Sequence, residues 1–370
     1  MLFIYPQYFF TAACFVSIEH VWLVMALLLI VAMHDVYGQL VRGLGDNKVF
    51  VGIGIATAFL VALLSIVFVA WFRMGISGVF LANILARLIP ILAVEFWRRP
   101  LFGHFYIASQ WKPCTKELLR YCLPLIPTVI IWWVLSFGDR WFVLWAAGAK
   151  ANGIYAVAAR FTGIIYTVAI ILQQAWQETA IMQYESDDRD HFFSQIITVY
   201  IFVLCSVAIV YTAMLKLTYG WIVSVNYASS EQYIFPMAVA ASIYSVANFL
   251  EMGYQCSLQT HRALAPSIAT CIVNVALNLI LAPIYGCWGV IAASTLSFTF
   301  FAVYRWIDTR RYFTLRPAIS VIVPIAVLIA FGITVYLPMP QWLFLLSTIL
   351  LLVAIAISLP RQWRHLLRKN

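Results

Sequence analysis

The chain of 370 residues is 64% hydrophobic and only 10% charged, against roughly 45–50% and 25% in a soluble domain. A water-soluble fold needs a charged exterior and cannot hide this many apolar side chains, and a membrane β-barrel alternates apolar with polar residues along every strand, so an all-α, polytopic helical membrane protein is what remains. The net charge of +9 could suggest nucleic acid, but its placement argues otherwise.

Apolar runs long enough to cross a hydrocarbon core of about 30 Å fall at 2–17, 20–41, 47–71, 76–96, 121–146, 150–180, 190–215, 232–258, 264–285, 288–308, 317–337 and 341–359, twelve spans in all. With both termini cytoplasmic, the cytoplasmic segments hold seventeen basic residues: Arg42, Lys48, Arg98, Arg99, Lys112, Lys116, Arg120, Arg189, Arg262, Arg305, Arg310, Arg311, Arg316, Arg361, Arg364, Arg368 and Lys369. The opposite face holds three, Arg73, Lys150 and Lys216. That asymmetry follows the positive-inside rule. The basic excess is therefore a topology signal with affinity for anionic membrane lipids, and nucleic acid is not an expected partner.

The first 18 residues contain no Lys or Arg, so the N-terminus reads as a short span and not as a signal peptide. Four spans make an N-terminal bundle over 1–98, followed by a basic cytoplasmic linker at 99–120. A six-helix bundle is expected over 121–308, with two additional spans and a basic tail over 309–370. No water-facing domain is left for an enzyme, and the segment 216–231 carries Glu231 as its one carboxylate. The acidic run Glu185–Asp190 is a metal loop or, more simply, a solvated helix connection. Seven cysteines without C-x-x-C spacing read as small packing residues, and no cofactor is expected.

An internal repeat joins the two bundles. Gly75-Ile76-Ser77-Gly78-Val79 opens the fourth span and Gly286-Cys287-Trp288-Gly289-Val290 opens the tenth, on the same expected face. Relative to the second bundle, the first lacks two helices: either it is genuinely four helices, or two spans precede Met1.

Ionisable groups at membrane depth cost at least about 2.5–3.5 kcal/mol each and default to functional candidates. At 1.5 Å per residue, Arg87 and Arg160 both sit roughly 15–16 Å deep, near the midplane. Arg160, Gly163, Thr167, Gln174 and Glu178 share one helical stripe; Ser242, Ser245, Asn248, Glu251 and Gln255 form another, and Ser267, Thr270, Asn274 and Asn278 a third. Asn83 lies one turn from Arg87. Such stripes bond neighbouring helices or line a hydrated cavity; a cationic cavity suits an anionic solute, because the Arg fork pairs with phosphate oxygens. The arginines are alternatively half of buried ion pairs. Trp141, Trp145, Trp221 and Trp342 near span ends read as an interfacial belt.

The stretch Glu117-Leu118-Leu119-Arg120-Tyr121-Cys122-Leu123-Pro124-Leu125-Ile126-Pro127, with Ser136-Phe137-Gly138-Asp139-Arg140-Trp141 and Gly153-Ile154-Tyr155-Ala156-Val157-Ala158, resembles the central segment of bacterial polysaccharide-unit (O-antigen) flippases. These belong to the multidrug/oligosaccharidyl-lipid/polysaccharide exporter superfamily. Leu40-Val41-Arg42-Gly43-Leu44-Gly45 and the Gly-x-x-Gly-Val turns match its style. The resemblance implies two bundles around a central cavity in the bacterial inner membrane, and a chain that starts at the family's third helix. It further implies export of an undecaprenyl-pyrophosphate-linked oligosaccharide by alternating access, alongside other polysaccharide-assembly proteins.

On that reading Arg87, Arg160, Asn83, Thr167, Gln174, Asn248, Asn274 and Asn278 contact the substrate. Asp139 and Arg140, placed near the outer face, form a gate or an internal ion pair. Asp35, Glu178 and Glu251 are candidates for proton or sodium coupling, or are merely hydrated near the cytoplasmic boundary. A cation-coupled drug antiporter of the same superfamily and a non-transporting scaffold for glycan assembly are the competing readings.

Overall fold

The computed structural model describes residues 21–98, 115–116, 119–120, 122–123 and 125–358. The expected first span at 2–17, most of the 99–120 linker and the tail beyond 358 lie outside the described residues. The chain divides into two compact units, 1–112 and 113–370, within the expected linker. Ten described helices are long and apolar enough to cross a membrane, and among the described residues there is no strand.

In the first unit, α1 (Val21–Gly43), α2 (Asn47–Ser65, continued by a π turn Ile66–Trp71) and α3 (Gly75–Arg98) pack against one another. Tyr37, Val41 and Ile53 form the buried centre, flanked by Val49, Phe50, Ile91 and Val94. Two polar links tie the helices: His34 Nε2 to Thr57 Oγ1 at 3.1 Å and Tyr37 OH donating to Glu95 Oε2 at 2.8 Å. Apart from this seam the helices expose apolar side chains, including Ile55, Phe59 and Leu92, as lipid-facing surfaces do.

The second unit opens with a continuous run, Leu125–Gln183, of 59 residues. At 1.5 Å per residue it would be about 90 Å long, three times a bilayer core, so it has to fold back. It does so at Gly148, whose φ of 82° is costly for any residue with a Cβ, giving α4 (125–147) and α5 (149–183). There follow α6 (Arg189–Ile222), α7 (Glu231–Leu250), α8 (Leu264–Tyr285), α9 (Cys287–Asp308), α10 (Ile322–Tyr336) and α11 (Gln341–Ser358). The expected span 232–258 breaks at Glu251, after which a short helix, Met252–Cys256, leads to a positive φ of 57° at Leu258.

The segment Val225–Cys256, which contains α7, is the unit's centre: 67% of its apolar window is buried, against 17% for α11. The final pair, read from the sequence as additional spans, shares one core with α6 and α7 through Phe202, Ile209, Phe235, Phe331, Phe344 and Ile355. Its apolar side chains thus complete the second unit.

The Gly-x-x-Gly-Val repeat has a common physical cause in both units. Gly75 and Gly286 turn the chain at φ 58° and 56°. One turn on, the second glycine lies against the backbone of the preceding helix. A Cβ there would come within 3.2 Å of the Phe68 carbonyl carbon at Gly78 and 2.1 Å of the Leu281 carbonyl oxygen at Gly289.

Candidate functional site

The two turns of the second unit set the depth of its polar groups. Counted from Gly148, Asp139 on α4 lies about 13 Å down and Tyr155 on α5 about 10 Å; counted from Gly286, Asn278 on α8 and Ser294 on α9 lie about 12 Å down. Four helices thus deliver four polar side chains to one level, about two to three helical turns in from the two glycine turns.

There they meet. Ser294 Oγ donates to Asp139 Oδ2 at 2.7 Å, Tyr155 OH donates to the same oxygen at 3.2 Å, and Asn278 Nδ2 lies 3.4 Å from Oδ1. Behind this first ring, Asn278 Nδ2 also reaches Asn274 Oδ1 at 3.1 Å, Asn274 Nδ2 donates to Ser297 Oγ at 3.0 Å, and Ser297 Oγ donates to the Ser294 carbonyl. Asp139 is 8% exposed and Asn278 not at all. Each contact to the carboxylate comes from a neutral group, and among the described residues Asp139 has no cationic partner within 4 Å. Arg140, its chain neighbour, points about 100° away around the helix, and its guanidinium carbon lies 5.9 Å from the Phe137 ring centroid. The internal ion pair considered for Asp139 and Arg140 is therefore not formed in this structure. One buried acceptor in the ring, Asn278 Oδ1, has no hydrogen-bond donor.

An aromatic layer lies beneath. Trp132 stacks on Tyr244 at 4.0 Å, and Tyr244 touches Tyr166, Phe298 and Phe301. Below that sits a second charged group, one that the sequence alone counts among the cytoplasmic charges. Arg305, 1% exposed, bonds Glu251 Oε2 at 3.0 Å, the Ala247 carbonyl at 3.0 Å and Asn248 Oδ1 at 3.3 Å, and covers the Phe301 ring at 4.0 Å. Glu251, an expected coupling group, thus has a fixed counter-charge, and Asn248, an expected sugar contact, helps hold the arginine. The signal was present in the Asn248 and Glu251 stripe, three residues apart on one helical face, but its partner was not legible without the packing of α9 on α7.

The other expected contacts scatter. Asn274 and Asn278, 2% and 0% exposed, are closed inside the unit around Asp139 and do not line an open surface. Ser242 and Ser245, from the same expected cavity, turn back to the carbonyls of Ala238 and Ala241. Arg160 and Thr167 are exposed, whereas Gln174 and Glu178 are half-buried, as are Asn248, Glu251 and Gln255, so the α5 stripe is set apart by its two exposed members. In the first unit Arg87 is 2% exposed, with Nη1 donating to the Asn83 carbonyl at 2.9 Å and to Asn83 Oδ1 at 3.0 Å. The hydrated setting expected for Arg87 is thus replaced by close packing. Asp35 is half-buried, 3.4 Å from His34 Nδ1.

The helical arrangement has solved counterparts. It is similar to a MATE structure in the bent conformation, with 14% identity, 80% of this chain and 68% of that chain covered, and a TM-score of 0.68. An outward-facing multidrug resistance MATE family transporter of the MOP superfamily gives 14%, 80%, 69% and 0.69 in the same order. The Vibrio cholerae MATE transporter VcmN in the bent form gives 14%, 78%, 69% and 0.63. No protein-family profile matches the chain, and no curated protein matches it in sequence. The protein therefore belongs to the class of polytopic, all-helical membrane proteins. Its particular fold within that class is the one seen in MATE transporters.

Proposed function

We propose that the protein is a cation-coupled membrane exporter working by alternating access, with Asp139 as the group that takes up and releases the coupling proton. The observation that carries this reading is the buried carboxylate held by neutral donors alone. A carboxylate locked to a guanidinium keeps one charge state; one held by a hydroxyl, a phenol and an amide can exist charged or protonated without stranding an opposite charge. On protonation the carboxyl would keep accepting through its carbonyl oxygen and gain one O–H to donate, and Asn278 Oδ1 is a buried acceptor of the same ring that has no donor. Because Tyr155, Asn278 and Ser294 sit on three different helices, a change of charge at Asp139 alters how α4, α5, α8 and α9 are held together. That gives the proton differential affinity for two packings of the unit, which is what coupling requires. The likeness to MATE structures solved in bent, straight and outward-facing conformations supports a fold able to change packing.

The competing cargo, a lipid-linked oligosaccharide, is favoured by two observations: the accessible Arg160 stripe on α5, suited to a phosphate, and the flippase-like stretch around Asp139. On this reading Arg160, Thr167 and Gln174 would contact the pyrophosphate and sugars, and the same proton site would drive the cycle.

The test uses the full chain in proteoliposomes under an imposed proton gradient, with two cargoes offered separately: ethidium as a cationic drug, and an undecaprenyl-pyrophosphate-linked oligosaccharide. Gradient-dependent movement of either by wild type, abolished in Asp139→Asn, is expected. Loss in Arg160→Ala of lipid-linked transport alone assigns the cargo. Movement unaffected by the gradient and by Asp139→Asn overturns proton coupling, and no movement of either cargo by well-folded wild type favours the scaffold reading.

A further inference from the structure

A cavity lies in the second unit, away from Asp139, where α6, the start of α7 and the end of α10 converge. Thr212, Leu215 and Lys216 of α6, Ser229 of the turn Val225–Ser230, Glu231 and Gln232 at the start of α7, and Tyr336 at the end of α10 surround about 350 Å³. That is the lower end of the volume range of small-molecule sites.

Its chemistry is bipolar. Lys216 Nζ donates to the Val335 carbonyl and lies 4.7 Å from the Phe344 ring centroid. An ammonium carries three donors, so two make no hydrogen bond to another of the described residues. Glu231 lines the same cavity, yet the two charges form no ion pair within 4 Å among the described residues. Opposite charges that share a half-buried cavity without touching leave room for a molecule carrying both signs.

Thr212 points to the same conclusion independently. The hydroxyls of Thr162, Thr198, Thr218, Thr270 and Thr348 all bond the carbonyl four residues back. Thr212, 4% exposed, does not; its Oγ1 is buried without a hydrogen-bond partner, on a residue that lines the cavity. An unmade bond of this kind costs about 1–3 kcal/mol, which a ligand oxygen at that point would relieve.

Position identifies the ligand's source. The cavity opens at the Lys- and Arg-poor ends of the spans. Exposed tryptophans follow in sequence on two of the neighbouring helices: Trp221, 90% exposed, five residues beyond Lys216, and Trp342, 68% exposed, two residues before the Phe344 ring that Lys216 faces; aromatics of this kind are enriched at the level of lipid headgroups. We infer that this cavity binds the headgroup of a zwitterionic phospholipid with a primary ammonium, as in phosphatidylethanolamine: the phosphate accepts from Lys216 and Thr212, and the ammonium donates to Glu231. The bound lipid bridges α6, α7 and α10, and so fastens the final helix pair to the centre of the unit.

The experiment is thermal unfolding of the delipidated full chain in a non-ionic detergent, titrated with short-chain phosphatidylethanolamine, phosphatidylglycerol or free O-phosphoethanolamine. Phosphatidylethanolamine is expected to raise Tm saturably, at least tenfold more potently than the other two. Thr212→Val breaks no hydrogen bond in the lipid-free chain, so its unliganded Tm should match wild type while the lipid response weakens severalfold. Lys216→Gln should lose the response, and Glu231→Gln should lose the preference over phosphatidylglycerol. Equal response to both lipids in wild type, an unchanged response in Thr212→Val and Lys216→Gln, or equal potency of free O-phosphoethanolamine would each overturn the assignment.

Discussion

Two buried charges in one helical unit are held in opposite ways. Asp139 and Arg305 lie on α4 and α9, roughly 16 Å apart in depth as judged by the eleven residues from Ser294 to Arg305. An aromatic layer of Trp132, Tyr244, Phe298 and Phe301 lies between them. Arg305 has a carboxylate at 3.0 Å, two further acceptors and a ring beneath it; Asp139 has hydroxyls and an amide. A buried charge with a matched counter-charge is fixed, because losing either member strands the other. A buried charge held by neutral dipoles can be given up. The comparison separates a fastening from a switch, although both are single ionisable groups within spans.

Breaking the fastening gives the largest expected effect. Arg305→Met strands Glu251 and should cost about 3–5 kcal/mol, seen as a large fall in Tm or in the yield of folded protein in detergent. Adding Glu251→Gln should recover most of that loss, and no recovery would show that the guanidinium acts through packing alone. Gly289→Ala comes next, because its Cβ would stand 2.1 Å from a backbone oxygen; overpacking of this kind costs about 1–3 kcal/mol. Gly78→Ala, with a gap of 3.2 Å to backbone, should cost less by the same measurement, and the reverse order would contradict the shared cause of the two turns. Ser294→Ala removes one bond from Asp139 and should lower stability by about 1 kcal/mol while slowing gradient-driven transport. Asp139→Asn is expected to change stability least, within about 1 kcal/mol, since no counter-charge is stranded. Its whole effect should fall on coupling.

Much of the scaffold was legible because it depends on one-dimensional quantities. Span length and the recurrence of Gly-x-x-Gly-Val need no partner to be read, and every expected span within the described residues has a helix. The site was less legible because it depends on which helical faces meet. Asn274 and Asn278 were recognised as a polar stripe, but a stripe looks the same whether it faces water or a carboxylate on another helix. Arg305 sits three residues before Asp308 at a span end, where sequence alone reads it as a cytoplasmic charge; only the packing of α9 on α7 encloses it. Arg87 was expected in water because a guanidinium in hydrocarbon is costly, yet Asn83, one turn away, accepts two of its hydrogen bonds.

The most direct test of the switch needs no cargo. Infrared difference spectra of the purified chain across an acid titration report the C=O stretch of carboxyl groups as they take up protons. Wild type should gain one protonated-carboxyl band that Asp139→Asn lacks, with the two proteins unfolding at similar temperatures. Identical difference spectra for wild type and Asp139→Asn would contradict proton uptake at Asp139, and with it the coupling mechanism.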